Sequence, residues 1–251
     1  MGPLNGIKVL EFSGIGPGPY CGMLLADLGA DVIRLSRVSE KGAHNKFDIH
    51  NRSKRTIVAD LKNPKAIKEI KKIIKEVDVL FEGYRPGVME KLGLSPEKCL
   101  KLNESLVYGR MTGWGQDGPM SKQAGHDINY ISLSGALNAI GDQNSNPSIP
   151  LNLIGDYGGG GMMLAMGILA GVISSSKTGK GQVIDSAMID GSLSLMSFFY
   201  SLKQMGIWKD ERKSNFLDGA AHFYDTYECS DNKYIAVGSI ESQFYKILLE
   251  K

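Results

Sequence analysis

Residues 7–35 restrict the fold more than any other stretch. Ile7-Lys8-Val9-Leu10-Glu11-Phe12 is a short β-prone run. A glycine and proline loop follows, Gly14 to Pro19, and Tyr20 to Leu28 then carries helix formers, with Gly29 placed as a helix C-cap. Asp31-Val32-Ile33-Arg34-Leu35 is a second strand. Strand, loop, helix and strand in this order imply parallel strands in an α/β fold. The loop invites a dinucleotide reading, but Pro19 stands where the last glycine of G-x-G-x-x-G belongs. Ser36 and Arg37 stand where an acid would hold a ribose hydroxyl, so NAD is not expected.

The strand rhythm continues. Thr56 to Leu61 is a third strand, and Asn63-Pro64 opens a helix with Ile67, Ile70, Ile74 and Val77 on one face and lysines elsewhere. Val79-Leu80-Phe81 is the next strand, with Glu82-Gly83-Tyr84-Arg85-Pro86-Gly87 as its exit. Residues 89–103 read as helix, Ser105 to Arg110 as strand, Gln182 to Asp185 as a last strand, and Ser186 to Gly206 as a long helical stretch. Ligands of open α/β sheets bind at strand exits. Arg37, Lys62 and Arg85 all follow strands, a repeated placement that suits phosphate groups, whereas each alone reads as a solvated surface residue.

Composition bounds the remaining classes. The chain has 251 residues, 42% hydrophobic and 22% charged, with a formal net charge of +2, too balanced to predict nucleic-acid binding. Cys21, Cys99 and Cys229 are widely spaced and odd in number, giving neither a disulfide framework nor a zinc pattern, and no metal is expected. The N-terminus has no charged-then-apolar signal segment. The apolar run Met162 to Ile173 is too short to cross a bilayer and reads as a buried helix, so no membrane span is expected. A cytoplasmic protein is expected, or a peroxisomal or mitochondrial one in a eukaryotic cell. His44 and His50 lie in a polar stretch without metal spacing and read as surface residues.

Two stretches carry candidate chemistry. Gly125-His126-Asp127-Ile128-Asn129-Tyr130 follows a run of turn formers and precedes an apolar, helix-like segment, Ile131 to Ile140. Its histidine is either a positioned, reachable chemical group or a surface or capping residue, and the hexapeptide alone leaves both open. Gly155-Asp156-Tyr157 precedes four consecutive glycines, Gly158 to Gly161. Asp156 reads either as an N-cap or as a carboxylate beside backbone N–H groups able to bind an oxyanion. The glycines allow close approach of a ligand or another helix. The domain reading is 1–190 as a large α/β domain, 191–216 as a linker helix and break, and 217–251 as the start of a smaller domain.

These motifs together resemble the family III coenzyme A transferases, and within them the α-methylacyl-CoA racemase branch. The pieces are Gly14 to Pro19 with Ala26 to Val32; Ala59-Asp60-Leu61-Lys62; Glu82 to Val88; Gly113-Trp114-Gly115-Gln116; Gly125 to Tyr130; Gly155-Asp156 with its glycines; Thr178 to Val183; and Ala236-Val237-Gly238 with Glu241 and Gln243-Phe244-Tyr245. The racemase likeness rests on His126 with Asp127 to Tyr130, and on Glu241. Ser242 departs from a proline usual there, and the chain resembles roughly the first two-thirds of such proteins.

The resemblance implies a Rossmann-like large domain that binds coenzyme A, an interlocked homodimer, a 2-methyl-branched acyl-CoA substrate, and no cofactor beyond the coenzyme A of the substrate. It implies His126 and Asp156 as an acid/base pair on opposite faces of the α-carbon, with Glu241 orienting His126. N–H groups at the start of the Asp156 helix would stabilise the enolate oxygen. Coenzyme A contacts are implied at Arg37, Ala59, Asp60, Leu61, Lys62, Gly83, Tyr84, Arg85, Lys91, Gly125, Asp127 and Tyr130. Two other readings stay open: a CoA-transferase with Asp156 as nucleophile, and a non-catalytic acyl-CoA-binding form.

Overall fold

The computed structural model describes residues 2–40 and 45–250. His44 lies outside the described residues. The chain divides into two compact units, one of Met1–Tyr130 with Asn152–Leu195, the other of Ile131–Leu151 with Met196–Lys251. The second unit thus takes in Ile131–Leu151, a segment that the sequence reading leaves in the large domain.

The first unit is built in chain order from β1 (Lys8–Phe12), α1 (Pro17–Asp27), β2 (Asp31–Ser36), β3 (Arg55–Val58), α2 (Pro64–Ile74), β4 (Val79–Glu82), α3 (Val88–Lys91), α4 (Pro96–Leu102) and β5 (Val107–Thr112). α5 (Asp127–Leu133) carries the chain out of this unit. A π-helix (Leu153–Met162) brings it back, followed by α6 (Met163–Thr178), β6 (Gln182–Ala187) and α7 (Met188–Leu195). The six strands pair in the order β3-β2-β1-β4-β5-β6, all parallel. This is the doubly wound order, whose direction reverses between β1 and β4.

The central strands are buried on both faces, and their alternation assigns each side chain to a layer. Val9, Val79, Phe81 and Val107 face α1 and α6, packing with Cys21, Leu25, Leu164 and Ile168. Leu10, Phe12, Leu80 and Tyr108 face the other way, against Ile70 and Ile74 of α2 and against Met89, Leu94 and Cys99. One ion pair is completely sealed from solvent beside β1. Lys54 Nζ lies 2.7 Å from Glu11 Oε2 with both side chains fully buried, and it also donates to the Pro19 carbonyl at 2.9 Å, tying the first turn of α1 to β1. Burial pushes the Glu11 carboxyl up to about 7 against the pull of Lys54. Gly22 has to be glycine, since a Cβ there would sit 2.0 Å from Glu11 Oε2.

Glycines cut the expected helices shorter. The stretch 89–103 splits into α3 and α4 at Gly93, whose φ is +72°. The stretch after Ile131 stops at Leu133, because Gly135 adopts φ +78°. The long helical stretch from Ser186 begins as β6 and then divides at Met196 into α7 and α8 (Ser197–Gln204).

The apolar helix is longer than its hydropathy run suggests. The π-helix and α6 together span Leu153–Thr178, 26 residues containing an 18-residue stretch of mean hydropathy 1.4, long and apolar enough to cross a membrane by length and composition. Leu164, Ala165 and Ile168 nonetheless pack in the sheet's core, as in a core helix.

In the second unit, α8 is followed by β7 (Tyr224–Glu228) and β8 (Tyr234–Gly238), an antiparallel pair, and then by α9 (Ser242–Leu249). Arg212 joins its two chain segments, donating to the carbonyls of Asn138, Asp142 and Ser145 at 2.6–3.1 Å. Tyr234, Ile235, Phe244, Ile247 and Leu249 are exposed.

Candidate active site

A cavity of about 710 Å³ opens at the carboxyl ends of the strands, where the strand order reverses. Ser13 to Gly18 line it after β1, Arg37 after β2, Gly83 to Pro86 after β4, and Met111 to Trp114 after β5. Gly125, His126 and Tyr130 come from the α5 entry, and Asn152, Asp156 and Tyr157 from the π-helix. His126 and Asp156 therefore share one cavity.

Each is held by its own local structure. His126 stands just before α5, its backbone N–H bonded to Asn129 Oδ1 at 2.9 Å, its residue exposed. Its ring has no hydrogen-bond partner among the described residues of its own unit. Asp156 sits inside the π-helix and is not an N-cap; the N-cap position is Asn152. π-Helical turns are rare and concentrate at functional sites. The glycine run is explained by helix contact: a Cβ on Gly159 would meet Ser192 N at 2.7 Å, and one on Gly160 would meet Met188 and Pro17 at 2.9 and 3.0 Å. The close partners are α7 and the start of α1.

Asp127 connects the two groups. It is only 5% exposed, and its Oδ2 accepts the Asp156 N–H at 2.7 Å, while the Gly155 N–H also bonds its carboxylate. Two expectations change. Asp127 caps the π-helix from a distance and does not line the cavity. Among the N–H groups expected to stabilise an enolate oxygen, that of Asp156 is engaged by Asp127 and that of Tyr157 by the Asn152 carbonyl at 3.3 Å.

Asp156 Oδ2 accepts from Asn152 Nδ2 at 3.2 Å. Burial raises the Asp156 carboxyl above the usual carboxylate range, the Asn152 bond opposes that rise, the Asp127 charge adds to it, and His126 opposes it. Tyr130 is packed edge-on against Trp114 with ring centroids 4.7 Å apart, and burial pushes its phenol up to about 12. Its ring lies so close over Gly113 and Gly125 that Cβ atoms there would come within 2.3 and 2.7 Å.

The implied coenzyme A contacts divide among several places. Arg37, Gly83, Tyr84, Arg85, Gly125 and Tyr130 line the main cavity, with the Arg37 guanidinium over the Tyr84 ring at 5.2 Å. Leu61, Lys62 and Lys91 line a second cavity of about 480 Å³, with Ile67, Lys68, Lys71 and Leu92. Ala59 and Asp60 line neither: Ala59 packs in the core beside α2, and Asp60 Oδ1 accepts the Lys62 N–H at 2.9 Å, closing its own turn. Glu241 belongs to the second unit, as the N-cap residue of α9, and makes no side-chain cap bond.

His50, read from sequence as a surface residue, lines the main cavity instead, with its ring edge-on to Tyr20 and Tyr157 at 6.1 and 5.5 Å. Asn152 is the other residue that pattern reading misses, although its position four before Asp156 is a helical spacing. Among the described residues, no group of three or more His, Cys, Asp or Glu is placed to hold a metal ion.

A doubly wound parallel sheet here gathers basic and acid/base side chains at its switch point, the place where open α/β sheets bind ligands. The chain belongs to CoA-transferase family III, whose profile matches residues 4–251. It is 47% identical to the alpha-methylacyl-CoA racemase of Mus musculus over 247 residues and 45% identical to that of Homo sapiens over 249 residues. It spans 64% of the length of each of these relatives, and 98% of this chain is covered in both cases. A solved CaiB/BaiF family protein from Brucella suis is 28% identical with a TM-score of 0.83, covering 99% of this chain and 69% of that one.

Proposed function

We propose that the protein interconverts the (2R) and (2S) forms of 2-methylacyl-CoA thioesters by 1,1-proton transfer. The observation that carries this reading is the joint placement of His126 and Asp156 on one cavity at the switch point. One group takes the proton from the α-carbon, and the C–H electron pair moves into the thioester carbonyl as an enolate. The other group returns a proton to the opposite face. Burial of Asp156 moves its carboxyl toward neutrality, where acid and base roles exchange most readily. Glu241 is proposed to fix the His126 tautomer, as an orienting carboxylate does for an acid/base imidazole.

Coenzyme A lies along the basic strand exits in this reading. Arg37 and Arg85 attract its phosphates at the main cavity, and Lys62, Lys68, Lys71 and Lys91 form a second cationic site over an apolar floor of Leu61, Ile67 and Leu92. We propose a homodimer as the working form, supported by the exposed apolar side chains of the second unit.

The test is incubation of one enantiomer of a 2-methylacyl-CoA with the full chain in deuterated water. Uptake of α-deuterium with loss of optical purity is expected, and no uptake by folded protein sinks the reading. Trapping of Asp156 by hydroxylamine during turnover would instead support acyl transfer, the chemistry in the family's name.

A further inference from the structure

Asn152 occupies the N-cap position of the π-helix and is of a residue type that normally caps with its side chain. It does not do so: no side-chain cap bond forms, and the N–H groups of Gly155 and Asp156 are bonded by the Asp127 carboxylate. The Asn152 amide reaches forward one turn and donates to Asp156 Oδ2 at 3.2 Å, and both residues line the cavity. The Gly16 backbone lies near the same oxygen. Gly16 has φ +65°, and a Cβ there would stand 3.0 Å from Oδ2.

We propose that Asn152 is a positioning residue for Asp156, binding Oδ2 so that Oδ1 is left as the oxygen that exchanges a proton with the ligand. The carboxyl group then has one orientation in the cavity. Asp127 fixes its backbone and Asn152 fixes its plane. A carboxyl free to rotate would present either oxygen, and a misplacement of about 1 Å at such a group lowers rates by about 10²-fold. The inference rests on the racemase reading only for the identity of the ligand; the hydrogen bond and its consequence for Asp156 stand without it.

The test follows the Asp156 carboxyl by carbon-13 NMR and the Asn152 side-chain amide by nitrogen-15 NMR across pH. In the wild-type chain the Asn152 amide signals are expected to titrate with the same midpoint as the Asp156 carboxyl. Asn152→Leu, close in shape but without a donor, is expected to move the Asp156 midpoint to higher pH, because the bond stabilises the charged form. In the deuterium-exchange assay the same variant is expected to lower kcat by about 10²-fold with KM within about twofold. An Asn152 amide that stays flat while Asp156 titrates overturns the proposal, even if no variant folds. So does an unshifted Asp156 midpoint in a folded Asn152→Leu chain. A wild-type chain without exchange activity but with coupled titration would refute the racemase reading and leave this inference standing.

Discussion

The carboxylate of Asp127 accepts the backbone N–H of Asp156 at 2.7 Å, and Asp127 is the residue directly after His126. One short bridge therefore sets the register between the two candidate proton-transfer groups. Asp127→Ala leaves the Gly155 and Asp156 N–H groups without their acceptor, and a loss of about 1–3 kcal/mol is expected from denaturant unfolding. Asp127→Asn keeps an acceptor oxygen and should lose less. It also removes a neighbouring negative charge, so Asp156 should titrate at lower pH in that variant.

Removing one of two bases affects the enantiomers unequally. His126→Ala and Asp156→Ala should each reduce interconversion by about 10²–10⁴-fold. Each should slow α-deuterium uptake from one enantiomer far more than from the other, in opposite senses. Equal slowing of both enantiomers by both variants would contradict placement on opposite faces.

The lysine-lined cavity predicts a split between binding and chemistry. Lys62→Ala and Lys91→Ala should raise KM for an acyl-CoA by about tenfold, the size of one lost charge-assisted contact, and leave kcat near wild type. The same variants should not change KM for the corresponding acyl-pantetheine, which has no phosphates. Steady-state kinetics with both substrates checks this.

Glu82 connects stability to pH. It is buried, its Oε2 accepts the Tyr84 N–H at 2.7 Å and its Oε1 accepts from Arg110 Nε at 3.2 Å. Burial is the largest influence and raises its carboxyl from 4.5 to about 7. The folded chain then holds a proton that the unfolded chain has released, so this stabilisation is complete below about pH 4.5 and lost as pH rises to about 7. Glu82→Gln cannot ionise. The stability of wild type relative to Glu82→Gln should fall across that window, as read by urea unfolding at a series of pH values.

A methyl group at the glycine seam should be costly. A Cβ on Gly191 would stand 1.8 Å from the Gly159 carbonyl oxygen. Gly191→Ala should destabilise the chain by about 1–3 kcal/mol through overpacking, measured by thermal unfolding.

The layered sheet was legible because its cause is local. Val9 and Leu10 face opposite layers, as strand alternation requires, and Gly14 to Pro19 read as a strand-to-helix turn whose last three residues open α1. The basic residues at strand exits were legible for the same reason. What pattern could not reveal depended on partners distant in sequence. Asp127 looks like a ligand contact beside His126 until the Asp156 N–H arrives to take its Oδ2. His50 looks exposed until Tyr157 packs on its ring. Asn152 carries no signal of its own, because its use depends on Asp127 occupying the Asp156 N–H from far along the chain. The Asp156 and Tyr157 N–H groups, expected as oxyanion donors, were unreadable for the same reason, because a sequence names donors and does not say which acceptor reaches them first.

Where Gly159 meets Gly191, main chain lies directly against main chain. The spacing between those two helices is consequently set by peptide groups, which evolution cannot trim or enlarge. Side chains elsewhere in the interior can drift in size without shifting the carboxyl of Asp156, much as a hinge pin keeps its line while the door is rebuilt around it.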